Sequence, residues 1–255
     1  MSTRVLDRGA ARRSGRFVTL VSGYGKIVLK TVLFAAGASL PLLAGGALGA
    51  YWRPPKRLVA FALAFATGAL IAAVSFELFQ DSYEQGGLLR AGLAFAAGAA
   101  VFVGVDTLLD RWSGENPTGL ALLAAVTLDG VPENTALGVS LTSAGSVALL
   151  VAVFVSNFPE ALSGAVSMRE RGRSRAAVIG LWGAATVLLA AAVVLGRLAF
   201  AGADPARLAL PLAFAGGAVL ASVIDTLAPE AFGEGGPVVA LSAAAGFFTS
   251  FVLGG

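Results

Sequence analysis

The sequence predicts an all-α integral membrane protein of eight transmembrane helices, and three observations carry that prediction. Hydrophobic residues make up 57% and charged residues 13% of the 255 positions; a soluble domain carries about a quarter charged residues, so a wetted surface is under-supplied. Apolar stretches of bilayer-crossing length recur along the whole chain. These stretches are unbroken Ala/Leu/Val/Gly runs without period-two alternation, which selects helices over a barrel. The chain has no Cys and no His, which excludes a disulfide scaffold, thiolate metal sites and imidazole chemistry. The apolar content excludes disorder.

A bilayer core takes about 20 apolar residues, and the spans fall at about 31–51, 58–80, 88–109, 118–142, 146–168, 176–198, 206–228 and 237–253. The connections are short, the longest lying around Gly196–Arg207, and leave no room for an extramembrane domain. Residues 1–26 form a basic tail with Arg4, Arg8, Arg12, Arg13, Arg16 and Lys26; residues 27–255 form a single transmembrane domain. The first apolar run exceeds a signal-peptide core and reads as a retained span, with cleavage near Gly49–Ala50 as the alternative.

Loops on one side carry Arg53, Lys56, Arg57, Arg111, Arg169, Arg171, Arg173 and Arg175; those on the other carry Arg90, Arg197 and Arg207. By the positive-inside rule the loops put both termini outside, whereas the basic tail pulls the opposite way. The Arg169–Arg175 cluster reads as a topogenic loop near anionic lipid. Nothing resembles a phosphate loop, a nucleotide fold or a nucleic-acid patch.

The segment Phe61–Gly87 overlies Leu210–Gly236 without gaps, with identities at Leu63, Ala64, Phe65, Ala66, Gly68, Ala69, Ala72, Val74, Leu78, Gly86 and Gly87. Asp81 falls on Glu230 in that register. Spans two and seven are an odd number of crossings apart, so the repeat is inverted. Spans one to three then repeat as six to eight around a central hairpin, a 3+2+3 arrangement that places a transport site near the midplane. The pairs Gly45/Gly49, Gly68/Ala72, Gly180/Ala184 and Gly217/Ala221 are small-residue contacts for close helix packing.

That hairpin carries the chemistry. Span four reads Asp129-Gly130-Val131-Pro132-Glu133-Asn134 and span five reads Ser156-Asn157-Phe158-Pro159-Glu160-Ala161. The i, i+4 spacing stacks Asp129 with Glu133 and Ser156 with Glu160 on one face of each helix. An intramembrane charge costs about 3 kcal/mol, so three carboxylates in one hairpin call for a cation. Each proline also deprives the carbonyl four residues earlier, of Leu128 and Val155, of its N–H partner. Carboxylates with such carbonyls make an oxygen cage for a divalent cation; a pair of proline kinks is the bland alternative.

Eight spans, paired Pro-Glu motifs on the fourth and fifth, and the inverted 3+2+3 layout resemble the ZIP family of divalent-metal transporters, over about residues 31–253. The resemblance implies a permease, not an enzyme, carrying zinc, iron, manganese or a similar ion, with both termini outside. It fits a homodimer in a prokaryotic plasma membrane. The usual fourth-span pattern in that family is His-Asn-x-Pro-Glu-Gly. Here Asp129 takes the His position, Gly130 the Asn position, and Glu133 keeps the Glu; on span five Ser156 and Asn157 take the first two positions and Glu160 keeps the Glu. The metal set is therefore Asp129, Glu133, Asn157 and Glu160, with Ser156 auxiliary. The metal is cargo, and no cofactor is implied. Both imidazole positions are lost, Gly130 has no side chain to offer, and the sixth span has no carboxylate, which points to a mononuclear site. A short Asp110–Pro117 turn replaces the family's His-rich loop. An all-oxygen set suits manganese, iron(II), magnesium or calcium better than zinc.

The remaining acids in spans, Glu77, Asp81, Asp106, Asp225 and Glu230, read as pathway stations for the cation or as interfacial acids, with Asp106 and Asp225 placed deeper. Two other functions compete with transport. One is a non-transporting metal-binding or sensor relative; the other is an intramembrane hydrolase using paired carboxylates, for which Ser156 has no usual base.

Overall fold

A computed structural model describes residues 3–113 and 119–254, with only the backbone described for residues 3–24, 113 and 120. Its described residues are helical, joined by short connections. We number the helices α1 Thr3–Tyr51, α2 Lys56–Gly86, α3 Leu88–Ser113, α4 Gly119–Ser140, α5 Val147–Glu170, α6 Arg175–Ala199, α7 Pro205–Gly235 and α8 Val239–Gly254. The apolar runs set these bounds, and local chemistry ends them. Ser146 and Ser174 accept hydrogen bonds from the amides of Leu149 and Ala177 to start α5 and α6, satisfying amides that a helix N-terminus leaves orphaned. Asp204 caps α7 ahead of Pro205 at its first position, where proline's missing N–H costs nothing.

Among the described residues, six helical segments are long and apolar enough to cross a membrane: Gly25–Tyr51, Lys56–Gly86, Leu88–Trp112, Val147–Glu170, Arg175–Ala199 and Pro205–Gly235. The sequence expectation was eight. The two that fall outside this group are α4, whose run is broken by Thr127, Asp129, Glu133 and Asn134, and α8, at 16 residues. The α1 helix begins at Thr3 and runs unbroken into the apolar stretch. The expected Asp110–Pro117 turn is also revised. Helix α3 continues to Ser113, and the rest of that segment, 114–117, lies outside the described residues.

The repeat is visible in the backbone. Segments α2 and α7 are each 31 residues long, and each runs 18 residues as α-helix before widening into a π-helical turn, at Val74–Gln80 and Val223–Leu227. Both finish on a glycine at positive φ, Gly87 at 79° and Gly236 at 70°, a conformation that L side chains resist. Packing repeats as well. Helix α2 lies against α8 and α7 against α3, while α1 lies against α5 and α4 against α6. A Cβ at Gly68 would collide with the carbonyl oxygen of Ala243, and one at Gly217, its repeat partner, with that of Phe95. The absent side chains let backbone meet backbone, the closeness that small residues permit in membranes.

Candidate functional site

Helices α4 and α5 run through Pro132 and Pro159 without ending, so each motif stays on one continuous rod. Asp129 and Glu160 line a common cavity of ≈ 370 Å³, and Glu230 of α7 lines it with them. Trp182, Leu63 and Thr226 are among its other lining residues. Ser222 donates a 2.9 Å hydrogen bond from Oγ to Asp129 Oδ1, and Ser163 donates to Glu230 Oε1. Each hydroxyl thus takes up one lone pair of a carboxylate and orients the other oxygen.

The rest of the expected set, Glu133, Ser156 and Asn157, does not line this cavity. Glu133 is 6% exposed. It is not among the residues facing the cavity, yet it is within Coulombic reach of Asp129 and Glu160. Asn157 uses its amide nitrogen to bond the Ala38 carbonyl at 2.7 Å, tying α5 to α1 and leaving Oδ1 as the atom it can offer. Ser156 donates to Val153 O at 3.0 Å, so its hydroxyl hydrogen is committed to its own helix. Among the described residues no three His, Cys, Asp or Glu side chains converge tightly enough to hold a metal ion together. A cation in this cavity would meet Asp129 and Glu160 and take its remaining ligands from water and neutral oxygens, as loosely bound hard cations do.

The remaining acids in the spans separate into three locations. Glu230 belongs to the central cavity. Asp106 and Asp225 lie within Coulombic reach of Asp129; Asp225 is exposed and Asp106 partly buried. Asp225 lies within the π-helical turn of α7, Val223–Leu227. Glu77 and Asp81 line a different cavity, between α2 and α8.

The central cavity adjoins a second one. A vestibule of ≈ 250 Å³ lined by Arg53, Lys56, Glu170 and Glu234 shares Leu63, Ser163, Ser167 and Glu230 with it. This vestibule lies at the helix ends that carry the Arg-rich connections, 52–55 and 171–174. An exposed ion pair, Lys56 Nζ to Glu234 Oε1 at 2.7 Å, crosses its mouth. Beyond the acids, toward the other helix ends, buried Val74, Leu78, Leu137, Val139, Leu149 and Val153 pack into one apolar cluster.

Three positions with a part in the site went unread in the sequence. Ser222 is an ordinary serine in an apolar helix, and its repeat partner Ala73 offers no hint. Ser163, which holds Glu230, sits one turn beyond Glu160 and carries no motif of its own. Asn134, directly after Glu133, is fully buried; its Nδ2 donates to Gly130 O at 2.8 Å while Oδ1 is unpaired. Gly130 itself is explained by packing, because a Cβ there would run into Leu189 of α6. No family model matches the chain, and no curated protein matches it significantly.

Proposed function

We propose that this chain is a divalent-cation permease of the ZIP type, with eight spans arranged 3+2+3 and spans one to three inverted in six to eight. The observation that carries the reading is the acidic cavity with its vestibule. Asp129 and Glu160 line a space that adjoins the vestibule through Glu230, while buried Val74, Leu78, Leu137, Val139, Leu149 and Val153 pack together toward the other helix ends. A site reached from one face and sealed from the other is one half of an alternating-access cycle. The inverted repeat supplies the other half by exchanging the roles of α2 and α7.

Asp129 and Glu160 bind the cation, Glu133 adds charge from behind them, and Asn157 Oδ1 contributes a neutral oxygen. Ser156 is a subsidiary group. The all-oxygen donors favour manganese, iron(II) or magnesium over zinc. The Arg-rich connections face the cytoplasm by the positive-inside rule, which puts both termini outside and opens the vestibule inward. A homodimer in a prokaryotic plasma membrane is the setting this reading carries.

The test is flux into proteoliposomes across zinc, cadmium, iron(II), manganese and magnesium, with Glu133→Ala and Glu160→Ala alongside. Each variant should stay folded and lose flux; retained flux in both would remove the assigned site. The absence of both motif histidines from the sequence favours one competing reading, a membrane metal binder or sensor that does not transport. It predicts saturable binding with no metal crossing the bilayer.

A further inference from the structure

We infer that the cavity between α2 and α8 is a second cation site, separate from the one on α4 and α5, and that it takes a hydrated divalent cation. Its volume is ≈ 300 Å³, room for an ion that keeps part of its water shell, and Glu77, Gln80, Asp81 and Ser250 supply its oxygens. Glu77 and Asp81 are four residues apart at the π turn of α2, so both carboxylates reach the same wall of the cavity.

One further observation points to a ligand. Ser250 lines this cavity, is 2% exposed, and its hydroxyl has no hydrogen-bond partner. A buried hydroxyl left unpaired costs free energy unless something in the cavity takes it up. Gly254 at the end of α8 lines the cavity beside Glu77. The repeat adds a second observation. In the register that lays Gly68 on Gly217, Glu77 and Asp81 overlie Thr226 and Glu230, and those two residues line the central cavity. The same two positions of the repeat thus face a cavity in each half. Phe76, edge-on to Phe251 with ring centroids 5.1 Å apart, walls this one beside the acids.

The inference goes beyond the transport reading and does not need it. It is tested with manganese(II) alone, titrated into the purified, chelator-stripped full chain while free manganese is read by electron paramagnetic resonance. The expected result is two ions bound. One is lost in the Glu77→Gln/Asp81→Asn variant, and the other in the Glu133→Ala/Glu160→Ala variant. Ser250→Ala should keep the stoichiometry and weaken one of the two sites about tenfold, the low end of what loss of a supporting ligand costs. Unchanged stoichiometry in Glu77→Gln/Asp81→Asn, or no binding in the folded Glu133→Ala/Glu160→Ala protein, overturns the second site. Binding that survives Glu133→Ala/Glu160→Ala in full but falls in Glu77→Gln/Asp81→Asn supports it and removes the central site instead. Should the charge-neutral pair fail to fold, Ser250→Ala decides, and unaltered affinity there overturns the inference.

Discussion

Ser222 on α7 donates its hydroxyl to Asp129 on α4 at 2.9 Å, joining the first residue of the fourth-span motif to the helix that also brings Glu230 to the cavity. The bond fixes which oxygen of Asp129 faces inward. Orienting partners of metal ligands typically contribute tenfold or more to affinity. Ser222→Ala should therefore weaken manganese binding at the central cavity by about tenfold and reduce flux, while the melting temperature changes little. Ser222→Thr keeps the hydroxyl and should restore most of the affinity.

Access to the central cavity can be read chemically because the chain has no cysteine of its own. Ser167 lines both the vestibule and the central cavity, whereas Leu137 is fully buried in the apolar cluster. A membrane-impermeant maleimide should label Ser167→Cys quickly from the Arg-rich face only, and Leu137→Cys slowly from either. Equal labelling of the two would show that the apolar cluster is not a seal.

The glycine approaches are testable by stability. Gly68→Ala and Gly217→Ala force a methyl group into a carbonyl of the neighbouring helix, and overpacking of this kind costs about 1–3 kcal/mol. Both should lower the melting temperature in detergent. At Gly104 on α3 a Cβ would have nothing within 4 Å of it, and Gly104→Ala should leave the protein as stable or raise it, by up to about 1 kcal/mol from helix propensity.

The two polar residues of the fifth-span motif should part company. Asn157→Ala removes the amide that bonds Ala38 and should cost about 1 kcal/mol of stability together with a loss of metal affinity. Ser156 spends its hydroxyl hydrogen on Val153, so Ser156→Ala should leave flux within about twofold, as expected where a hydroxyl's main bond is to its own helix. A severe defect in Ser156→Ala would make that serine a ligand in its own right.

Helix positions were legible because burial in lipid demands long apolar runs, and those runs have edges. The observed α5 and α6, Val147–Glu170 and Arg175–Ala199, differ from the expected spans by one or two residues at each end. The repeat was legible for a similar reason: Gly68, Gly87 and their partners have no side chain, and both copies need that absence at the same places. The site was read less completely. Helical spacing places Asp129 and Glu133 on one face, yet only Asp129 reaches the cavity. Which part of a face meets a void depends on the neighbouring helix, and Leu189 against Gly130 sets how close α6 comes.

From sequence alone came the membrane class, the helical architecture, the internal repeat and the hairpin that carries the carboxylates, all properties of residue type and spacing along one chain. Tertiary structure decided what no spacing encodes. It recruited Ser222 and Glu230 from α7 to a site written on α4 and α5, sent Glu77 and Asp81 to a cavity of their own, and left Asp225 exposed. The reason is physical. Apolar runs specify that a helix forms, but a cavity exists only where several helices fail to fill the space between them, and the side chains at that gap come from wherever their helices happen to cross.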